Sequence, residues 1–321
     1  MLGMNRFDEL DFLKIFRPIY ARRLERADFS RMHFAYYTSA TTGLNILHGR
    51  SLWMRSAACM NDYREIDYGI QLINSAVQGS ARRQAQMKRI AQKLGWGENM
   101  IGSILADLNR NERKFTTHTY LACVSEHDYE SDAKGRLSMW RAYGRKTGVA
   151  FILNPQAVIA STKELALRIA PVEYLTGEQF TRGFDRMMNN VEDHMEELMA
   201  GEPAVLLEAF INMMLTSIFS IKNPGFIEER EWRLIYQDTA GSTLASDIVS
   251  VDGIPQVIYK LPWRAVGESG AGLPIADALE QIIIGPSQYA DVIEVAFTHC
   301  LSELGIADAG KRVVKSNIPL R

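Results

Sequence analysis

Residues 226–236 read Phe-Ile-Glu-Glu-Arg-Glu-Trp-Arg-Leu-Ile-Tyr. As a strand, this segment places Glu229, Glu231 and Arg233 on one face and Trp232, Leu234 and Tyr236 on the other, because strand side chains alternate with period two. A guanidinium close to two carboxylates favours their charged forms, and an ionised acid at a reacting centre stabilises positive charge that develops there. The competing reading is a charge ladder on a half-exposed strand, in which each pair contributes about 0 to 1 kcal/mol.

The rest of the chain must hold that strand in place. Leu10, Phe12, Leu13, Ile15 and Phe16 give an apolar stripe in a lead-in helix within residues 1–32. His33-Phe34-Ala35-Tyr36-Tyr37-Thr38 is aromatic and β-prone, Ser39 is placed to cap a helix over 42–48, and Ser51-Leu52-Trp53-Met54-Arg55 reads as a second strand. Ile66, Ile70, Ile73 and Val77 recur at helical spacing. Further strands are expected at 119–125, 148–153, 281–284 and 312–314, with a helix over 288–304. Phe180, Phe184, Met188, Val191, Met195 and Leu198 mark a helix closed by Gly201, and Pro203 opens an apolar one. The expectation is an α+β fold: a single domain over 33–321 with a mixed β-sheet core and helical insertions near 63–113 and 178–221.

At 321 residues, 47% hydrophobic and 23% charged, the chain has ample apolar side chain for a core and no compositional mark of disorder. A net charge of -2 gives no global attraction to nucleic acid or anionic lipid. Arg82, Arg83, Lys88, Arg89 and Lys93 form a local basic helix face, whose plain reading is solvated surface. Three widely spaced cysteines, Cys59, Cys123 and Cys300, and no secretory leader point to the cytoplasm. The apolar run 204–221 carries Glu208 and Asn212, so it reads as a buried core helix, and no membrane partner is expected.

Several segments, taken in order, resemble a bacterial family, domain of unknown function 2971. They are Tyr36-Tyr37-Thr38-Ser39 with Ile46-Leu47 and Ser51-Leu52-Trp53, Met60-Asn61-Asp62 with Glu65, and Ser138-Met139-Trp140 with Tyr143 and Gly148-Val149. Lys222, Phe226, Glu229, Glu231, Arg233, Ile284-Gly285-Pro286 and the terminal Ser316–Arg321 continue the series. The opening strand, short helix and second strand also resemble the first motif of ADP-ribosyltransferases that use a His-Tyr-Glu constellation. Tyr36 stands where that family's histidine would hold the adenosine-side ribose of NAD.

That second resemblance implies a reaction and roles. Breaking the nicotinamide glycosidic bond of NAD builds positive charge on the ribose, so Glu231 is assigned to stabilise it, with Glu229 positioning or deprotonating a macromolecular acceptor, protein or nucleic acid. Arg233 would keep both acids anionic. Tyr36, Thr38 and Ser39 are expected to contact the cofactor, and Trp140 and Tyr143, one helical turn apart, are spaced to stack on a nicotinamide or adenine ring unless they pack the core. A toxin or phage-defence effector is the implied setting. Two alternatives stand beside it: a non-catalytic ligand-sensing or protein-interaction module, and a nuclease in which Asp62 and Glu65 join Glu229 and Glu231 around a divalent metal. Against that last reading, Asn61, Asp62 and Glu65 also suit a helix cap.

Other motifs are empty. The six histidines show no zinc spacing, and neither Cys-x-x-Cys nor His-Glu-x-x-His occurs, so no metal site is expected. There is no Gly-x-Ser-x-Gly elbow, and Gly267, Gly270 and Gly272 lie in a loop rather than a dinucleotide fingerprint. Gly285-Pro286-Ser287 leads from strand to helix, where capping by Ser287 competes with phosphate binding.

Overall fold

The computed structural model describes residues 9–60, 64–144, 146–238, 244–251, 253–265 and 268–319. The lead-in is two helices, α1 (Glu9–Phe16) and α2 (Pro18–Arg26), the second opened by a proline whose missing N–H is harmless in a first turn. Next come β1 (His33–Ser39), α3 (Ala40–His48) and β2 (Ser51–Ser56). Three helices, α4 (Arg64–Gln78), α5 (Ala81–Lys93) and α6 (Met100–Thr117), then separate β2 from β3 (Thr119–His127). A short helix α7 (Leu137–Met139) runs into a π-turn, Trp140–Gly144, ahead of β4 (Gly148–Leu153). The middle continues with α8 (Pro155–Glu164), β5 (Arg168–Pro171), β6 (Glu173–Tyr174), α9 (Gly177–Asp193), α10 (Met195–Met199), α11 (Pro203–Ile218) and β7 (Ile221–Lys222). A 3-10 turn, Pro224–Glu229, precedes β8 (Glu231–Gln237), β9 (Ser246–Val251), β10 (Ile254–Arg264) and β11 (Leu273–Pro274). The chain closes with α12 (Ile275–Ala278), β12 (Leu279–Ile284), α13 (Ala290–Glu303), α14 (Ala309–Arg312) and β13 (Val313–Lys315).

These elements form two compact units, each assembled from three stretches of chain. Met1–Ala27, Ala58–His118 and Ala170–Ile227 make a mainly helical unit; Asp28–Ala57, Thr119–Ile169 and Glu228–Arg321 make a unit built on the sheet. The lead-in helices, the helical insertions and the small parallel pair β6–β7 therefore fall in one unit, and most strands of the large sheet in the other.

In the sheet unit the order is β11-β10-β2-β3-β1-β4-β12-β13, with β8 also on β3, β5 on β8 and β9 on β10. β1–β3, β1–β4, β2–β3, β2–β10, β3–β8, β4–β12 and β9–β10 pair antiparallel, whereas β10–β11 and β12–β13 pair parallel, so the sheet is mixed and the fold α+β. The fully buried β4, Gly-Val-Ala-Phe-Ile-Leu, is the apolar run its sequence predicts for a strand covered on both faces.

The helical unit packs α4, α5 and α9 against one another, with the apolar α11 against α4. A buried ion pair, Lys222 Nζ to Glu65 Oε1 at 2.5 Å, holds it internally. The basic residues of α5 are largely neutralised within the same unit: Arg83 bonds Asp185 at 2.6 Å, and Lys88 and Arg89 lie 3.6 and 3.5 Å from Glu98 and Glu192. Among the described residues no helix is long and apolar enough to cross a membrane.

Candidate active site

The strand carrying the acids begins later than its sequence suggests. Residues Pro224–Glu229 form a 3-10 turn, and Arg230 takes φ of 42°, a left-handed conformation that costs a non-glycine residue about 1 to 2 kcal/mol. Period-two alternation therefore starts at Glu231, and Glu229 does not join Glu231 and Arg233 on a strand face. This corrects the sequence expectation; the physical reason is the reversal at Arg230, whose carbonyl accepts from Glu126 N–H (2.9 Å) as pairing begins.

Arg136 secures that reversal. Its guanidinium donates to the carbonyls of Glu228 and Glu229 and to that of Glu126, the last two at 3.2 Å, so one side chain ties the turn to the end of β3. Asp132, 5% exposed, sits 4.0 Å from Arg136 Nε and 3.6 Å from Arg230 Nη1. The Arg136 backbone N–H donates to the Tyr37 hydroxyl at 3.1 Å.

Glu231 and Arg233 form a fork-to-fork pair, with Arg233 Nε donating to Oε1 at 2.7 Å and Nη2 to Oε2 at 3.1 Å. Both residues are buried, 3% and 1% exposed. A bidentate guanidinium bond of this kind is strongest to a carboxylate and fixes its plane. Register defines the face: Ala35 stands opposite Ser125, and Ser125 opposite Glu231, so all three point the same way, with Cys123 and Arg233 next along. The Ser125 hydroxyl reaches Met139 Sδ at 4.0 Å, and Met139 packs with Ala35, Tyr37 and Trp140.

Tyr37, not Tyr36, is the aromatic on this face. Its ring meets Trp140 edge-on with centroids 4.8 Å apart, and burial pushes its hydroxyl pKa up. Tyr36 and Thr38 alternate to the opposite face, where Tyr36 lies across from Phe151. Burial pushes the Tyr36 hydroxyl up to about 12, so it stays protonated. Ser39 caps α3, accepting from Thr42 N–H at 3.2 Å and donating to Thr42 Oγ1 at 3.0 Å. Trp140 is built into the core: its indole N–H donates to the Lys134 carbonyl (3.1 Å), and Gly135, Gly148 and Gly285 close around the ring. A Cβ on Gly285 would stand 2.8 Å from the Trp140 ring, so that residue must lack one. Tyr143 packs half-buried against the same cluster.

The structure thus brings Glu231, Arg233, Trp140 and Tyr143 to one face, sets Tyr36 and Thr38 on the other, and gives Ser39 a capping bond. Glu229 lies half-buried in the adjoining turn. Asn61 and Asp62 fall outside the described residues, and the Glu65 carboxylate is engaged by Lys222 in the helical unit.

Residues 139–234 match the family model described as protein of unknown function, DUF2971. The resemblance to that family is shown over this span. The matched span runs from Met139 to Leu234 and so contains Trp140, Tyr143, Lys222, Glu229, Glu231 and Arg233. No curated protein and no solved structure matches the chain.

Four residues of the site escape a sequence reading: Tyr37, His127, Asp132 and Arg136. Tyr37 was reachable, since alternation from Ala35 selects it. His127 continues the Ser125 row at the end of β3, 1% exposed with both ring nitrogens unbonded, and burial lowers its pKa to about 4, so the ring is neutral. Nothing in the spacing of Asp132 and Arg136 announces their roles, which depend on a turn nearly a hundred residues later.

Proposed function

We propose that the chain is an ADP-ribosyltransferase-like enzyme that cleaves NAD and modifies a macromolecular acceptor. The observation that carries the reading is the buried Glu231 carboxyl at the start of β8, held by both guanidinium bonds of Arg233 on the aromatic face of the sheet. A fixed anion needs no reorganisation when charge develops beside it, which is the condition for stabilising a transition state more than a ground state. The observed order β1, α3, β2 supports it further, being the strand, helix and strand of the first motif.

In the proposed reaction the ribose C1′–N bond breaks and its electron pair passes to the nicotinamide ring, discharging the pyridinium. Positive charge on the ribose faces Glu231. An acceptor hydroxyl or amine then bonds C1′, and Glu229, in the flanking turn, takes its proton. Cys59, Cys123 and Cys300 are thiols rather than disulfides, which supports a reducing, cytoplasmic setting. The split of roles is testable with labelled NAD and mixed protein and nucleic acid acceptors. Glu229→Gln is expected to lose acceptor labelling while still releasing nicotinamide; unchanged labelling contradicts the assignment of Glu229.

A second reading, a ligand-sensing module, is favoured by an apolar cavity of about 100 Å³ in the helical unit, lined by Phe16, Met87, Trp96, Phe184, Met188 and Phe210 among others. Apolar cavities of this order stay dry and take small aromatic molecules or xenon. Benzene is expected to raise the melting temperature of the full chain without turnover; an unshifted melt at saturating benzene sinks it.

A further inference from the structure

Helix α3 comes unusually close to the sheet and to α13. At Gly43 an added Cβ would lie 2.8 Å from Val149 Cγ2 and 3.1 Å from the Phe297 ring, so only glycine allows the approach. Five residues on, in the last turn of α3, His48 meets the face of α13 that carries Cys300, one turn after Phe297, and Glu303, one turn further. His48 Nε2 is 3.4 Å from Cys300 Sγ, and the ligand atoms of His48, Cys300 and Glu303 all lie within 4.8 Å of one another. His48 and Glu303 are exposed, whereas Cys300 is buried beneath them.

We propose that His48, Cys300 and Glu303 form a binding site for a zinc-like divalent cation. The distance suits a shared cation as well as the hydrogen bond it now spans. A zinc ion with Zn–S of about 2.3 Å and Zn–N of about 2.0 to 2.1 Å in tetrahedral array sets sulfur and nitrogen about 3.6 Å apart. The observed separation already approaches that edge of the tetrahedron. Rotation of the exposed Glu303 side chain brings its carboxylate to the third corner. Before that rotation Glu303 Oε1 lies 3.2 Å from His299 Nε2, one turn earlier on α13. One thiolate, one imidazole and one carboxylate form a mixed set that suits zinc or cobalt and disfavours magnesium and calcium, which prefer all-oxygen shells. The fourth position faces solvent and takes water or an incoming ligand. Binding would pin the end of α3 to α13. The sequence could not announce this site, because 252 residues separate His48 from Cys300.

The test is titration of the metal-free, reduced full chain with cobalt(II), followed by displacement with zinc(II) against a chromophoric chelator. The expected result is one equivalent of cobalt with tetrahedral visible bands and a thiolate-to-cobalt charge-transfer band, all lost in Cys300→Ser. His48→Ala and Glu303→Gln, both at exposed positions that leave the core intact, are each expected to weaken zinc affinity at least tenfold. Absence of stoichiometric binding, a cobalt spectrum that survives Cys300→Ser, or unchanged affinity in His48→Ala overturns the proposal.

Discussion

Glu231 and Arg233 show how little an isolated charge pair reveals until its burial is known. On an exposed strand they would contribute about 0 to 1 kcal/mol. Buried, the pair carries more weight, and Arg233→Met, which removes both guanidinium bonds to the buried Glu231 carboxylate, is expected to cost about 3 to 5 kcal/mol. Urea unfolding measures that loss, and a cost below 1 kcal/mol would show the pair to be solvated. His127 gives a second residue-scale prediction. Its imidazole is held near pKa 4 by burial, with His33 and Arg136 adding to the effect and Asp132 and Asp128 opposing it, against 6.5 when unfolded. The unfolded chain therefore binds more protons between those values. The contribution of His127 is fully present above pH 6.5 and is lost as pH falls toward 4, by roughly 3 kcal/mol at most. His127→Phe should flatten that slope in melts taken from pH 7 to pH 4.5; an unchanged slope would refute the assignment.

At the scale of elements, strands and helices were legible where one periodicity dominated. The apolar β4, the aromatic β1 and the four-three spacing of α4 all stand where their patterns predict. The start of β8 was not legible, because a run of alternating charges reads as strand whether or not the backbone reverses within it. Only the guanidinium of Arg136, far back in sequence, explains why the 3-10 turn ends at Glu229. The Tyr36/Tyr37 ambiguity has the same origin, since two adjacent tyrosines leave the choice of face to the pairing partners. Ser39 separates a capping role from a cofactor role: Ser39→Ala should lower stability by about 1 kcal/mol and leave nicotinamide release at matched folding unchanged. A large specific loss of release would return Ser39 to the cofactor. Gly285→Ala should cost about 1 to 3 kcal/mol in thermal or urea melts by driving a methyl into Trp140, and a neutral outcome would contradict the packing described for that ring.

For the molecule as a whole, the net charge is small, and Arg83, Lys88 and Arg89 of α5, the basic helix face marked in the sequence, each lie beside an acid rather than offering themselves to a phosphate backbone. Gel-shift titration with duplex DNA at physiological salt is therefore expected to show no micromolar complex, and a tight complex with a steep salt dependence would contradict this reading of the surface. Both compact units draw on distant parts of the chain, and the match to DUF2971 spans residues from each. What joins sequence to proposed chemistry is still one carboxylate at the start of one strand. The most direct measurement is the rate of nicotinamide release from NAD by the purified chain and by Glu231→Gln, compared at a temperature where circular dichroism shows both folded. Release by the native chain that falls about 10²- to 10³-fold in the variant is the predicted result; release that is absent from the native chain, or that survives the substitution, contradicts it.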